Sequence, residues 1–331
     1  MIPYASVLPT GIRSRNVLGI NGLDMHVLEA GFPQSDSAPQ RPAILLLHGF
    51  PELAFSWRKV MLPLAQAGYH VIAPDQRGYG RTTGWRADYD AALEPFRVLN
   101  LVRDALGLIT ALGHSSVAAV VGHDFGSPVA AWCAVLRPDV FRACVMMSAP
   151  FGGPPALPLK AGGVDHTALA ALPRPRKHYQ AYYGTRAANA DMQHCKQGVH
   201  AFLRAYYHVK SADWSVNQPH VLASYAATEM AQMPTYYIMD VDQNMVQTVA
   251  PHMPSAAHIA ACNWLTYAEL ALYAAEYQRN GFQGGLQWYR CGAEPRFITE
   301  LQNLGRPQHR RALHVHRRPK RLGHLPKTWR V

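Results

Sequence analysis

Cysteine is scarce in this 331-residue sequence. The five present (Cys133, Cys144, Cys195, Cys262 and Cys291) are odd in number and form no C-x-x-C pair. A disulfide scaffold and a cysteine zinc site are thereby excluded, and a reducing cytoplasm is the expected compartment. Long apolar runs are also missing. Although 49% of residues are apolar, no stretch approaches the ~18–20 residues of a membrane-spanning helix. The opening residues, Met1 to Asn16, lack the apolar run of a secretory leader. Acidic residues are absent from 305–331, which holds nine of the 32 Lys and Arg and four His. The other 304 residues carry 23 basic against 21 acidic side chains, so nine of the eleven units of formal net charge belong to the tail. Nucleic-acid binding through that tail is the weakest functional reading, since the body is neutral and no recognised module accompanies the charge. Neither a nucleic-acid nor a membrane partner is expected.

What is present is an alternation of strand and helix patterns. Residues 23–30 alternate loosely, and Ala43–Leu47, His70–Ala73, Val117–Val121 and Ala143–Met147 are short apolar runs suited to buried strands. Helical spacing marks the stretch with Trp57, Val60, Met61 and Leu64, and then Leu99–Leu112 and Ser127–Leu136. This order predicts an α/β fold with a mainly parallel sheet covered by helices, whose chemistry lies at the carboxyl ends of the strands. After Pro150 the rhythm breaks, first into a Pro/Gly/Ala-rich stretch and then into a mostly helical, aromatic region. The predicted organisation is an N-terminal core (1–150), a helical cap (151–290), a return to the core (291–304) and a basic tail (305–331).

Gly122-His-Asp-Phe-Gly126 follows a buried strand and opens a helix. It has the shape of the nucleophile elbow G-x-S-x-G with Asp124 in place of serine. A capping aspartate at an ordinary turn fits the same string; its place in the βα series favours the elbow. Phe125 N–H then faces any oxygen that turns negative, and Phe50 N–H, in His48-Gly-Phe-Pro51 after an earlier strand, is the second oxyanion donor. His48 is expected to be structural, and Asp75 and Arg77 to form an internal ion pair. A carboxylate nucleophile displaces at saturated carbon and leaves an ester for water to cleave. Halides or the oxygen of a strained epoxide are leaving groups that fit, and the epoxide oxygen needs a phenol as proton donor.

These stretches resemble the epoxide hydrolases of the α/β-hydrolase superfamily. The resemblance spans roughly residues 20–304 and is carried by His48-Gly-Phe-Pro-Glu52, Asp75-Gln-Arg-Gly-Tyr-Gly80, Gly122-His-Asp-Phe-Gly126, His178-Tyr-Gln180 and Gly281-Phe-Gln-Gly-Gly-Leu-Gln-Trp-Tyr-Arg290. It implies an α/β-hydrolase fold and a hydrolase acting on ether bonds. It also implies Asp124 as nucleophile, Phe50 and Phe125 as oxyanion donors, and Tyr179 and Tyr289 as ring-opening phenols. Tyr182 and Tyr183 compete with Tyr179. The implied partner is a small-molecule epoxide, with no metal or organic cofactor. Haloalkane dehalogenases share the aspartate elbow but typically carry Trp and Asn where Phe125 and Phe50 stand. A non-catalytic small-molecule binder is the remaining alternative.

The triad acid and histidine of such an enzyme should follow Tyr289. Only Glu294 and Glu300 are found there, and Gly323-His-Leu325 has no strand before it. The last core strands are therefore expected to be missing, and the activity to be impaired. A shifted reading frame accounts for the tail. Synonymous codons from Gln308 onward, read one frame out, spell a strand and an acid-bearing Ser-Asp-Trp turn like the family's. The hidden acid falls in the codon of Arg321.

Overall fold

The computed structural model describes residues 4–33, 35, 39–155, 164–304 and 314–316. The chain forms two compact units, the first of residues up to Pro154 with Gln283–His316, the second centred on Pro155–Phe282. Among the described residues no helix is long and apolar enough to cross a membrane.

The first unit is built on a seven-stranded sheet. Its strands are β1 (Ile12–Ile20), β2 (Leu23–Ala30), β3 (Ala43–Leu47), β4 (His70–Pro74), β5 (Val117–His123) and β6 (Cys144–Met147), together with the last strand in the chain, His314–His316. The spatial order is β1-β2-β4-β3-β5-β6 and then His314–His316. The hairpin β1–β2 and the β2–β4 pair are antiparallel, and all other pairs are parallel. Every residue of β3 and β4 is buried, as continuous apolar runs require inside a sheet covered on both faces. The helices Arg58–Gln66, Val98–Ala111 and Gly126–Leu136 fall where the apolar periodicity puts them. Strand β1 has no counterpart in the sequence-based expectation, because only three of its nine residues are buried and its apolar pattern is correspondingly thin.

Three expectations are corrected. The chain does return to the sheet after Leu304: His314–His316 pairs in parallel with Val145–Met147 of β6, so β6 is not the open edge. The basic composition hides this strand, since three residues suffice for the pairing and periodicity needs more. Gly323-His-Leu325 and Arg321 lie outside the described residues. Second, the helix Gln283–Ala293 belongs with the sheet unit, whereas the sequence places residues up to 290 in the cap. The reason is contact: a Cβ at Gly284 would stand 2.1 Å from Gly78 O. Trp288 Nε1 also donates to Arg77 O at 3.0 Å, and Gln287 Nε2 to Asp88 O at 2.8 Å.

Third, Asp75 and Arg77 do not pair with each other. Arg77 grips Asp104 with two nitrogens at 2.7 and 2.8 Å. Asp75 is fully buried, accepts from Ala54 N–H and Arg81 N–H, and meets His26 Nδ1 at 2.7 Å. Burial opposes its charge, but His26 and the Arg81 N–H prevail and hold it at about 2, below its ordinary 3.8. The stability this contributes is complete above pH ~3.8 and is lost as pH falls toward 2. Asp75→Asn should therefore cost at least about 2 kcal/mol at neutral pH and flatten urea-melt stability between pH 4 and 2. An unchanged slope in the variant would contradict this account.

The second unit is helical, with one small antiparallel pair, β7 (Arg176–His178) and β8 (Ile238–Asp240). Its helices Gly198–Val209 and Tyr267–Asn280 pack together, and Leu169, Met230 and Ile238 form a separate small core beside β7 and β8.

Candidate active site

Strands β3 and β5 are neighbours, with Leu47 opposite Gly122. The turns that leave their carboxyl ends therefore meet. Asp124 sits at the tip of the β5 turn with φ +52°, a left-handed conformation that costs a non-glycine residue ~1–3 kcal/mol. The flanking glycines make that turn possible. A Cβ at Gly122 would lie 2.1 Å from Gly126 O, and one at Gly126 would lie 2.3 Å from Leu47 O. Gly49 faces the tip directly, since its Cβ would stand 2.4 Å from Asp124 Cβ. The strain and the close approach together separate this turn from an ordinary capping aspartate.

Phe50 N–H donates to Asp124 Oδ1 at 3.0 Å, so the two carboxylate oxygens are unequal. Oδ1 is held by the backbone. Phe125 precedes the helix Gly126–Leu136, and its N–H is placed among the helix's N-terminal donors. Tyr289 joins the same group: its ring stands edge-on to Phe50 (5.5 Å between centroids) and to Phe125 (5.1 Å). Asp124, Phe50, Phe125 and Tyr289 are thus gathered in the first unit. Neither Phe50 nor Phe125 has a side-chain N–H for a halide, and the indole N–H of Trp288 is committed to Arg77 O.

Tyr179 belongs to the second unit, at the start of the helix Tyr179–Tyr183. Its hydroxyl accepts from Gln180 Nε2 at 3.2 Å. Its two competitors are committed as donors. Tyr182 Oη donates to Asp191 at 3.0 Å, and burial with Asp191 pushes that phenol well up. Tyr183 Oη donates to Tyr206 Oη within the core.

His48 is structural, as expected. The Gln76 N–H it meets can only donate and the Gly49 carbonyl can only accept, so Nε2 is the acceptor and Nδ1 carries the proton. Burial lowers its pKa and keeps it neutral, despite the pull of Asp75. A second couple had no role in the sequence-based expectation. His123 Nδ1 meets Glu52 Oε2 at 2.8 Å, and the same oxygen accepts Gly49 N–H, also at 2.8 Å. This joins the turn that carries Phe50 to the strand end that carries Asp124. The signal for it was the pairing of an acid four residues after His48 with the histidine beside the nucleophile. Tyr79 is also buried here, its hydroxyl without a hydrogen-bond partner among the described residues, and burial followed by the charges of Asp124 and Glu52 raises its pKa. Downstream of Tyr289, Glu300 pairs with Arg97 at 3.0 Å and Glu294 with Arg296 at 3.5 Å.

The mainly parallel sheet, with a strained aspartate at the turn between a strand and a helix, has the architecture of an α/β hydrolase. A model of the α/β hydrolase fold matches residues 42–218. An epoxide hydrolase of Caballeronia sordidicola is 32% identical over 85% of this chain and 70% of its own. Epoxide hydrolase A of Mycobacterium tuberculosis is 31% identical over 85% and 74%. Among solved structures, an epoxide hydrolase from an endophytic Streptomyces superposes with a TM-score of 0.67 at 29% identity, covering 90% of this chain and 76% of that one. This chain belongs to the epoxide hydrolase family of α/β hydrolases.

Proposed function

We propose that Asp124 opens a small-molecule epoxide by covalent attack and that Tyr289 and Tyr179 protonate the departing oxygen. Asp124 Oδ2 forms a bond to an epoxide carbon, the C–O bond of the ring breaks, and a phenol proton passes to the alkoxide. The product is an Asp124 ester. In its hydrolysis Oδ1 becomes the oxyanion, held by the Phe50 and Phe125 N–H groups. No cofactor enters either step. The observation that carries this reading is the Phe50 N–H bond to Oδ1 of a carboxylate held in left-handed backbone, with Tyr289 against both Phe50 and Phe125. The role of Tyr179 rests on the resemblance of its sequence segment and on the commitment of Tyr182 and Tyr183 elsewhere. A cytoplasmic location is part of this proposal, and the five free cysteines support it.

Ring opening precedes hydrolysis, and for this chain we place the slow step at hydrolysis. The residues after Gly305 supply no acid to orient a histidine. A shifted frame after Leu304 explains their composition, and the nucleotide sequence there tests it: a hidden frame encoding the family's strand and Ser-Asp-Trp turn is expected, and its absence refutes the idea. Intact-mass measurement after exposure to styrene oxide should show an adduct that accumulates, whereas steady diol release without adduct would contradict the slow hydrolysis. In the same assay Tyr289→Phe should slow adduct formation ~10²-fold with the melting temperature unchanged, because only the proton donor is lost and the ring contacts remain. Tyr179→Phe should do likewise; normal rates in both variants would remove the phenols from the mechanism.

A further inference from the structure

The second unit contains a cavity that the chemistry above does not use. Its volume is about 320 Å³, at the lower end for small-molecule sites. Arg204 and His208 line it from the helix Gly198–Val209, and His258 and Ile259 from the helix Ala256–Ala261. Asp213, Cys262 and Trp264 also line it. Arg204 is only 4% exposed. Its Nη1 donates to Leu265 O at 3.0 Å and approaches Cys262 Sγ at 3.6 Å. Its Nε and Nη2 have no hydrogen-bond acceptor among the described residues.

Five other arginines of this protein hold carboxylates by that Nε–Nη2 edge. Arg13, Arg15, Arg77, Arg137 and Arg174 each use both nitrogens on one Asp or Glu. A guanidinium cannot shed its charge on burial, so an unpaired one is held at a cost that a bound anion relieves. Burial lowers the pKa of the neighbouring His208 against the pull of Asp213, so its imidazole is neutral and does not compete with Arg204 for an anion.

We propose that this cavity binds a small monocarboxylate with an apolar or aromatic body. The carboxylate pairs with the Nε–Nη2 edge of Arg204 in the bidentate geometry the other arginines show. Ile259 and Trp264 receive the body. Asp213, whose Oδ2 accepts the Trp264 indole N–H at 2.7 Å, leaves a negative charge on the wall and disfavours a dianion such as phosphate. The two nitrogens are covered, so entry turns the guanidinium toward the cavity.

Calorimetric titration of the full chain with benzoate, benzamide and inorganic phosphate tests this. Benzoate should bind saturably, with benzamide and phosphate each at least ~10-fold weaker. Arg204→Gln should weaken benzoate at least ~10-fold, and Trp264→Ala, which keeps the guanidinium, should weaken it severalfold. If Arg204→Gln does not fold, alkylation of Cys262 gives the answer, because its sulfur lies against Arg204 Nη1. Benzoate, and not benzamide, should slow that alkylation. Absence of benzoate binding up to about 10 mM, benzamide binding as tightly as benzoate, or Cys262 alkylation unchanged by benzoate would each overturn the site. Phosphate binding as tightly as benzoate would overturn the assignment to a carboxylate.

Discussion

Asp124→Asn should abolish capture of styrene oxide, with adduct formation falling at least ~10³-fold while the protein still folds. Asparagine suits the backbone here, since it tolerates the left-handed region better than most residues and Asp124 stands at φ +52°. Its amide oxygen can still accept Phe50 N–H, so the turn that carries Phe50 keeps its anchor. What is lost is the second carboxylate oxygen, the atom proposed to displace at carbon. The measurement is intact mass and peptide mapping of wild type and variant beside their melting temperatures. An adduct that persists in Asp124→Asn, or that maps to another residue, would remove Asp124 from the chemistry.

Gly122→Ala should prevent the fold or destabilise it by about 3 kcal/mol or more, through steric conflict of backbone with backbone. The added Cβ would stand 2.1 Å from Gly126 O, 2.5 Å from Gly126 C and 2.6 Å from Ser127 Cα. None of these atoms can rotate aside as a side chain can, so the strand β5, the elbow and the following helix must separate. Gly292→Ala is the control. A Cβ there meets nothing within 4 Å, and its place inside the helix Gln283–Ala293 favours a gain of ~0.5–1 kcal/mol. Urea melts of the three proteins decide the matter. Equal stabilities for Gly122→Ala and wild type would mean that the turn relaxes and that its geometry is not fixed by close packing.

The strands β3 and β4 were legible in the sequence because a strand buried on both faces must be apolar throughout, and short runs of that kind are conspicuous. Strand β1 was not, since an edge strand in contact with water carries polar residues such as Arg13, Ser14 and Arg15 among its apolar ones. His314–His316 was hidden for a related reason. Strand pairing is made by backbone groups, and a three-residue ladder imposes no pattern on side chains. The error over Asp75 and Arg77 came from spacing: two opposite charges two residues apart look like partners. Each in fact found a partner far along the chain, Asp75 in His26 and Arg77 in Asp104. The Glu52–His123 couple was missed for the same reason, its two residues being 71 positions apart.

The sequence by itself determined local features of the candidate site, a carboxylate between glycines after a buried strand and a backbone donor in the turn after an earlier one, whereas the phenol in the string ending at Arg290 was singled out only by the family resemblance. Those features depend on residues within a few positions of one another, where spacing and steric size suffice. Only the tertiary structure decided which long-range partners close the network, that the helix bearing Tyr289 packs on the sheet unit, and that the Nε–Nη2 edge of Arg204 is buried without an acceptor among the described residues. These are matters of what lies within a few ångströms across the fold, and chain order does not specify them.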